Sequence, residues 1–171
     1  MVPGTTMQGL AVRLDTRDID AARDRLARSY CPHGLTPRGG LAGAAGFHAR
    51  HTEGGGPDLA VFTLTYGSGP VGVSPVPFGD FVLVSRPLAG RLTVRSGGDD
   101  IVVGPGEAVA LDHRSVHRLE FGPGCRLLTV KLPCSVIDRV AAATGRPATV
   151  ATGTAADPRA WDAVSRSWCA R

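Results

Sequence analysis

The chain has 171 residues with a net charge of +4, a length that buries a full core in one domain without needing disulfide or metal staples. Its 19 Lys and Arg and 15 Asp and Glu are interleaved along the chain, so no block of one sign marks a nucleic-acid footprint, and no apolar run approaches the roughly 20 residues of a membrane span. The 23 glycines and 13 prolines fall between short apolar runs, which favours a mainly β protein with many tight turns over a helical bundle.

Taken in chain order, Met7 to Leu14 reads as a first strand or an arm. A helix over about 18–30 follows, with Asp18 as its cap, Ile19, Ala22 and Leu26 at helical spacing, and Pro32 and Gly34 as the stop. Residues 36–43 read as a Gly/Pro loop. Strands are then predicted at Ala45–Arg50, with Phe47 and Ala49 on one face and His48 and Arg50 on the other, and at Leu59–Tyr66, with Phe62, Leu64 and Tyr66 sharing a face. Glu53–Pro57 reads as the loop between them. Val71–Val73, Phe81–Arg86, Arg91–Arg95, Ile101–Val103, Ala108–Leu111, Val116–Phe121 and Arg126–Leu132 continue the strand pattern between Gly- and Pro-marked turns. Strands about ten residues apart with such turns indicate a sandwich or barrel. After Pro133 the pattern turns helical at Ser135–Thr144, with Gly145 as the stop. A loop over 146–156 leads to a helix capped by Asp157, on which Trp161, Val164 and Trp168 form one apolar stripe.

The first nine residues lack the charged and apolar regions of a signal peptide, and the four cysteines (Cys31, Cys125, Cys134 and Cys169) contain no CxxC pair. They read as structural thiols of a cytoplasmic protein. Nucleophile and phosphate motifs are missing: there is no GxSxG, no P-loop and no GxGxxG after a strand. Cys31 and His33 invite a Cys–His dyad, but neighbours at a helix end rarely present both groups to one substrate.

The ordered set of segments RDIDAARDRLARSYCPHGL (from Arg17), GFHAR (from Gly46), LTYGSGPVGVS (from Leu64), DFVLVSRPLAGRLTV (from Asp80), IVVGPGEAVALDHRSVHRLEF (from Ile101) and CRLLTVKLP (from Cys125) resembles the AraC-type ligand-binding domain of AraC/XylS bacterial transcription regulators. The match covers about residues 10–145. The resemblance implies a cupin-like double-stranded β-helix barrel with a short N-terminal helix, a small-molecule effector, a homodimer formed through the helices after the barrel, and two helix-turn-helix units beyond this stretch. On that basis residues 1–133 are the effector-binding barrel. Residues 134–171 are a helical dimerisation segment, cut before the DNA-binding half, through which alone DNA would be contacted.

Cupin enzymes carry two histidines and a glutamate early and a further histidine late. Here Glu107, His113 and His117 partly fit the late region, but Ser74–Arg86 contains no histidine and Asp80 is its one acid. A catalytic role, a metal and a cofactor are therefore not expected. A stand-alone small-molecule carrier, a cupin metalloenzyme and a purely structural dimerisation module stand as rival readings. Among residues expected at the barrel interior or mouth, Arg86 could clamp a carboxylate if it points inward and is an ordinary strand arginine if it points out. His48, Tyr66, Arg91 and His117 are further candidates, each dependent on a register that one residue of slip would reverse. Trp161, Val164 and Trp168 either pack on the barrel or face a second subunit.

Overall fold

The computed structural model describes residues 8–145 and 153–154. The elements in order are β1 (Gln8–Thr16), α1 (Ile19–Ser29), β2 (His33–Pro37), α2 (Gly40–Ala45), β3 (Phe47–Gly56), β4 (Leu59–Gly67), β5 (Val71–Pro75), β6 (Phe81–Ala89), β7 (Leu92–Ser96), β8 (Asp99–Val103), β9 (Val109–Leu111), β10 (His117–Phe121), β11 (Arg126–Pro133), α3 (Cys134–Thr144) and β12 (Gly153–Thr154). The stripe of Trp161, Val164 and Trp168 lies outside the described residues.

Two antiparallel sheets face each other. Sheet A runs β1-β3-β4-β11-β6-β9-β12 and sheet B runs β2-β5-β10-β7-β8. Among the described strands up to β11, β3–β4 and β7–β8 are hairpins and every other connection passes from one sheet to the other. That winding is a jelly roll, the double-stranded β-helix expected from the sequence. Alternation decides which side chains fill it. Leu64 and Tyr66 of β4, Leu83 of β6 and Leu127 of β11 meet Val71 and Val73 of β5, Leu92 and Val94 of β7 and Phe121 of β10 in one buried cluster. Helix α1 adds Ala22 and Leu26 to that cluster. Its Asp18 cap accepts from Ala21 N at 3.0 Å, as the sequence suggested.

Four local expectations change. The Gly/Pro stretch after α1 is β2 followed by the short helix α2, and the next strand begins at Phe47 rather than Ala45. Glu53–Gly56 belongs to β3, so the hairpin turns at Pro57 and Asp58. Within the expected 146–156 loop, Gly153 and Thr154 pair with Ala110 and Val109 of β9. The glycines misled the reading of β3 because here they admit the partner strand: a Cβ on Gly55, at φ +117°, would stand 2.3 Å from Leu59 O. Glycine therefore marks a close approach of two strands at this point, and not a break.

The crossing from β6 to β7 imposes a similar constraint. Gly90 has φ +69°, and a Cβ there would lie 2.6 Å from Cys125 Cα. Gly90→Ala should cost about 2–3 kcal/mol, from the left-handed backbone and the clash together, read as a lower urea midpoint at unchanged slope.

His51 sits on the inner face of β3 at 0% exposure. Its ring lies 5.6 Å from Tyr30 and 5.4 Å from Phe62, centroid to centroid, and neither nitrogen has a hydrogen-bond partner. Burial, with Arg25 adding to it and Glu53 opposing it, lowers the imidazole pKa from 6.5 to about 4. The folded state therefore holds a neutral ring where the unfolded chain takes up a proton. The stability this contributes is present above about pH 6.5 and is lost as pH falls toward about 4, by up to roughly 3 kcal/mol. His51→Phe should remove that part of the acid sensitivity. Chemical denaturation of wild type and variant at pH 7.5 and pH 4.5 checks it, because the other titrating groups cancel in the difference.

Candidate functional site

A cavity of about 50 Å³ lies between the sheets, several times the space that one water needs. Sheet A supplies Leu64 and Tyr66 from β4, Leu83 and Ser85 from β6, and Leu127 and Thr129 from β11. Val73, Pro75, Leu119 and Phe121 face them from β5 and β10 of sheet B. The end of α1 and the start of β2 close one side with Leu26, Tyr30, Cys31 and His33, and Phe78 closes another. The register explains this set. Leu127 stands opposite Leu64 and Pro87, and Thr129 stands opposite Phe62 and Ser85, so one face of β4, β11 and β6 points inward as a unit.

None of the lining side chains is Asp, Glu, Lys or Arg. The polar groups are few and mostly engaged. The buried Ser85 and Thr129 hydroxyls pair at 3.1 Å, with Tyr30 beside Thr129. The Tyr66 ring packs edge-on to Phe121 at 4.9 Å and stacks with Phe47 at 5.9 Å. Burial pushes both tyrosine hydroxyls above their ordinary range, so they are neutral proton carriers at any physiological pH. The His33 Nδ1–H donates to the Cys31 carbonyl at 2.8 Å, while the Cys31 thiol is directed at Val76 O, 3.8 Å away. Burial raises the Cys31 pKa. The two side chains thus form no nucleophile–base pair.

The sequence candidates separate. Tyr66 lines the cavity. Arg86 alternates with the inward Ser85 and Pro87 and stands opposite Leu128, so its side chain leaves by the outer face of sheet A, the second of the two orientations the sequence allowed. His48 is on the outer face of β3, where Nε2 meets Asp15 at 2.6 Å. The adjacent His48 imidazole also holds the Asp15 carboxyl below its usual value. Arg91 is exposed in the turn after β6. His117 is buried, with Nε2–H donating to Asp112 O at 2.9 Å and its ring 5.4 Å from Phe78. It therefore stands behind the cavity wall, outside the lining. Sequence reasoning missed His33, Ser85 and Thr129. Ser85 and Thr129 were legible in principle as polar residues in phase with Leu83 and Leu127, but His33 was read only as a neighbour of Cys31 at the end of the helix, because β2 was not recognised as a strand.

Among the described residues no group of three or more His, Cys, Asp or Glu side chains could hold a metal ion. Cys31, Cys125 and Cys134 are free thiols. No described helix is long and apolar enough to cross a membrane. A second hollow, of about 80 Å³, on the outer face of sheet B is bordered by Arg38, Arg95, Arg118 and Glu120, with Arg95 paired to Asp100 at 3.1 Å.

A jelly roll with a cavity between its two sheets is the build of a cupin-like domain. Residues 22–171 match the AraC-binding-like domain family, and the chain belongs to it. Among solved structures it is similar to the AraC-like transcriptional activator CuxR, with 14% identity, a TM-score of 0.61 and coverage of 79% of this chain. The chain spans 50% of that activator's length. It is also similar to an RmlC-like cupin from Shewanella frigidimarina, at 17% identity and a TM-score of 0.42 with 58% of this chain and 83% of that one covered. A third likeness is to a Cupin 2 conserved barrel protein from Salinispora arenicola, at 18% identity and a TM-score of 0.41 with 56% and 84% covered. A search of curated proteins finds no match.

The wall should respond as a packed core with one defect. Leu127 is 4% exposed, and Leu127→Ala would add to an existing void, so a loss of about 3 kcal/mol is expected, within the range for buried leucines. Thermal unfolding would show it. A dye that reports apolar cavities should bind the variant more strongly than the wild type.

Proposed function

We infer that this chain is the effector-binding and dimerisation part of an AraC-type transcription regulator, acting in the cytoplasm, with DNA contacted through a separate helix-turn-helix region. The observation that carries the reading is the cavity between the sheets. A natural core packs to high density, and a void lined by side chains from both sheets and α1 costs stability unless a ligand repays it. A small effector that binds one state of the domain better than another shifts that equilibrium by its differential affinity.

The dimerisation part is supported by α3. This helix has no buried residue although Val136, Ile137 and Val140 lie on it, and Val140 is 56% exposed. An apolar helix face of this kind gains by meeting a second copy. On this reading residues 1–133 bind effector and residues 134–171 carry the contact between copies.

Two measurements test the proposal. A melting screen of small organic molecules on the purified chain should yield at least one compound that raises Tm by about 5–10 °C at a hundredfold excess over its Kd. Leu64→Trp, which fills the cavity, should abolish the shift. A screen in which nothing shifts the wild type would leave the cavity a packing defect and the domain a structural module. In sedimentation, Val140→Glu should turn a dimer into a monomer with little change in Tm. A wild-type chain that is monomeric at micromolar concentration would refute the dimerisation part.

A further inference from the structure

We propose that the cavity takes an uncharged, largely apolar molecule bearing one hydrogen-bond donor, and that the Nε2 atom of His33 receives that donor. The inference rests on the reading of the cavity as an effector site and adds the chemical class of the effector and the residue that selects it.

Charge is excluded first. No Asp, Glu, Lys or Arg side chain lines the cavity, so an anion or cation entering it gives up its hydration with no ion to repay it. Arg86, the arginine nearest in sequence to the inward Ser85, leaves on the opposite face of sheet A. A neutral molecule meets no such penalty, and the walls of Leu64, Leu83, Leu119 and Leu127 favour an apolar body.

The donor follows from hydrogen-bond accounting. Ser85 and Thr129 already satisfy each other. His33 does not. Its Nδ1 lies 2.8 Å from the Cys31 carbonyl, an oxygen that can only accept, so Nδ1 carries the proton. In the neutral ring Nε2 is then a bare acceptor. That atom is buried and has no hydrogen-bond partner. Neither Pro32, which precedes His33, nor Pro75, its partner in the β2–β5 pairing, has an N–H to offer it. Burial, with nearby Arg23, lowers the His33 pKa and keeps the ring neutral against the raising effect of the Cys31 bond. A buried acceptor without a donor is costly. On the wall of a cavity, that cost becomes selectivity for a ligand that supplies the missing hydrogen. At about 50 Å³, the cavity is smaller than the roughly 150 Å³ that holds a benzene ring, so a single small ring enters only as the apolar wall gives way around it.

The test uses three probes of similar shape on the 171-residue chain at pH 7.5, followed by calorimetry or ligand-observed NMR: phenol, fluorobenzene, which lacks the donor, and benzoate, which is charged. Phenol should bind about fivefold more tightly than fluorobenzene, the value of one net hydrogen bond, and benzoate should bind most weakly. In His33→Phe the phenol preference should vanish while fluorobenzene stays within about twofold of its wild-type affinity, since the ring volume is kept. Equal binding of phenol and fluorobenzene, tightest binding of benzoate, or a phenol preference that survives in His33→Phe each overturns the inference and leaves the effector site standing. Failure of all three probes, together with an empty melting screen, overturns the effector site as well. Should His33→Phe fail to fold, the ¹⁵N spectrum of the wild-type imidazole decides. Nε2 should resonate as an unprotonated ring nitrogen and move upfield with phenol but not with fluorobenzene. A protonated Nε2 in the free protein, or no movement with phenol, overturns the inference.

Discussion

Strand β11 is hydrogen-bonded along both edges, to β4 from Arg126 to Lys131 and to β6 from Arg126 to Pro133. Every other feature of the interior is phased by that double pairing. Because the side-chain period of a strand is two, fixing Leu127 as inward also fixes Thr129 and Lys131 inward, with Leu64 on one side and Ser85 and Leu83 on the other. A slip of β11 by one residue would carry Arg126, Leu128 and Val130 inside and turn Leu127 and Thr129 out. The burial of about six large apolar side chains on that face, each worth roughly 1.5–3 kcal/mol, makes the observed register the stable one.

The same phasing gives the inner face a gradient along the strands. Toward one end of β11 the ladder brings Leu127 and Leu64 together in an apolar wall. Toward the other it brings Lys131, whose ammonium donates to Ser29 O at 3.0 Å and Tyr30 O at 3.4 Å and stands 4.1 Å from the Phe81 centroid. Those backbone oxygens are at the C-terminal end of α1, where a cation is favoured by the helix dipole. Lys131 thereby ties α1 to sheet A. Arg25 and Ser29, gathered on the Glu53 carboxylate at 3.7 and 3.0 Å, tie it to β3. The helix end that bears Tyr30 and Cys31 is thus held over the cavity by polar contacts at its border, while the cavity itself is left without charge.

Ion pairs near solvent are worth little, so the hold on α1 rests chiefly on Ala22 and Leu26, which are buried in the core.

The sequence by itself determined the class of fold and much of its strand content. Alternation at Phe47 and Ala49, and at Phe62, Leu64 and Tyr66, named the buried face correctly, Asp18 and Gly145 marked helix ends, and the order of segments identified the family. These signals are local, set by side-chain period and backbone preference within about ten residues. The tertiary structure alone decided which polar residues face the interior. Arg86 and His48 turned outward because sheet pairing between residues far apart in the chain fixed their faces, and Arg91 fell in the exposed turn before β7. His117 turned inward to a backbone carbonyl, and His33 came to the cavity wall because β2 pairs with β5 across a long stretch of intervening chain. Glycine-rich Glu53–Gly56 joined a strand for the same reason. A residue's own sequence neighbourhood does not encode the partner strand that either permits or forbids its conformation.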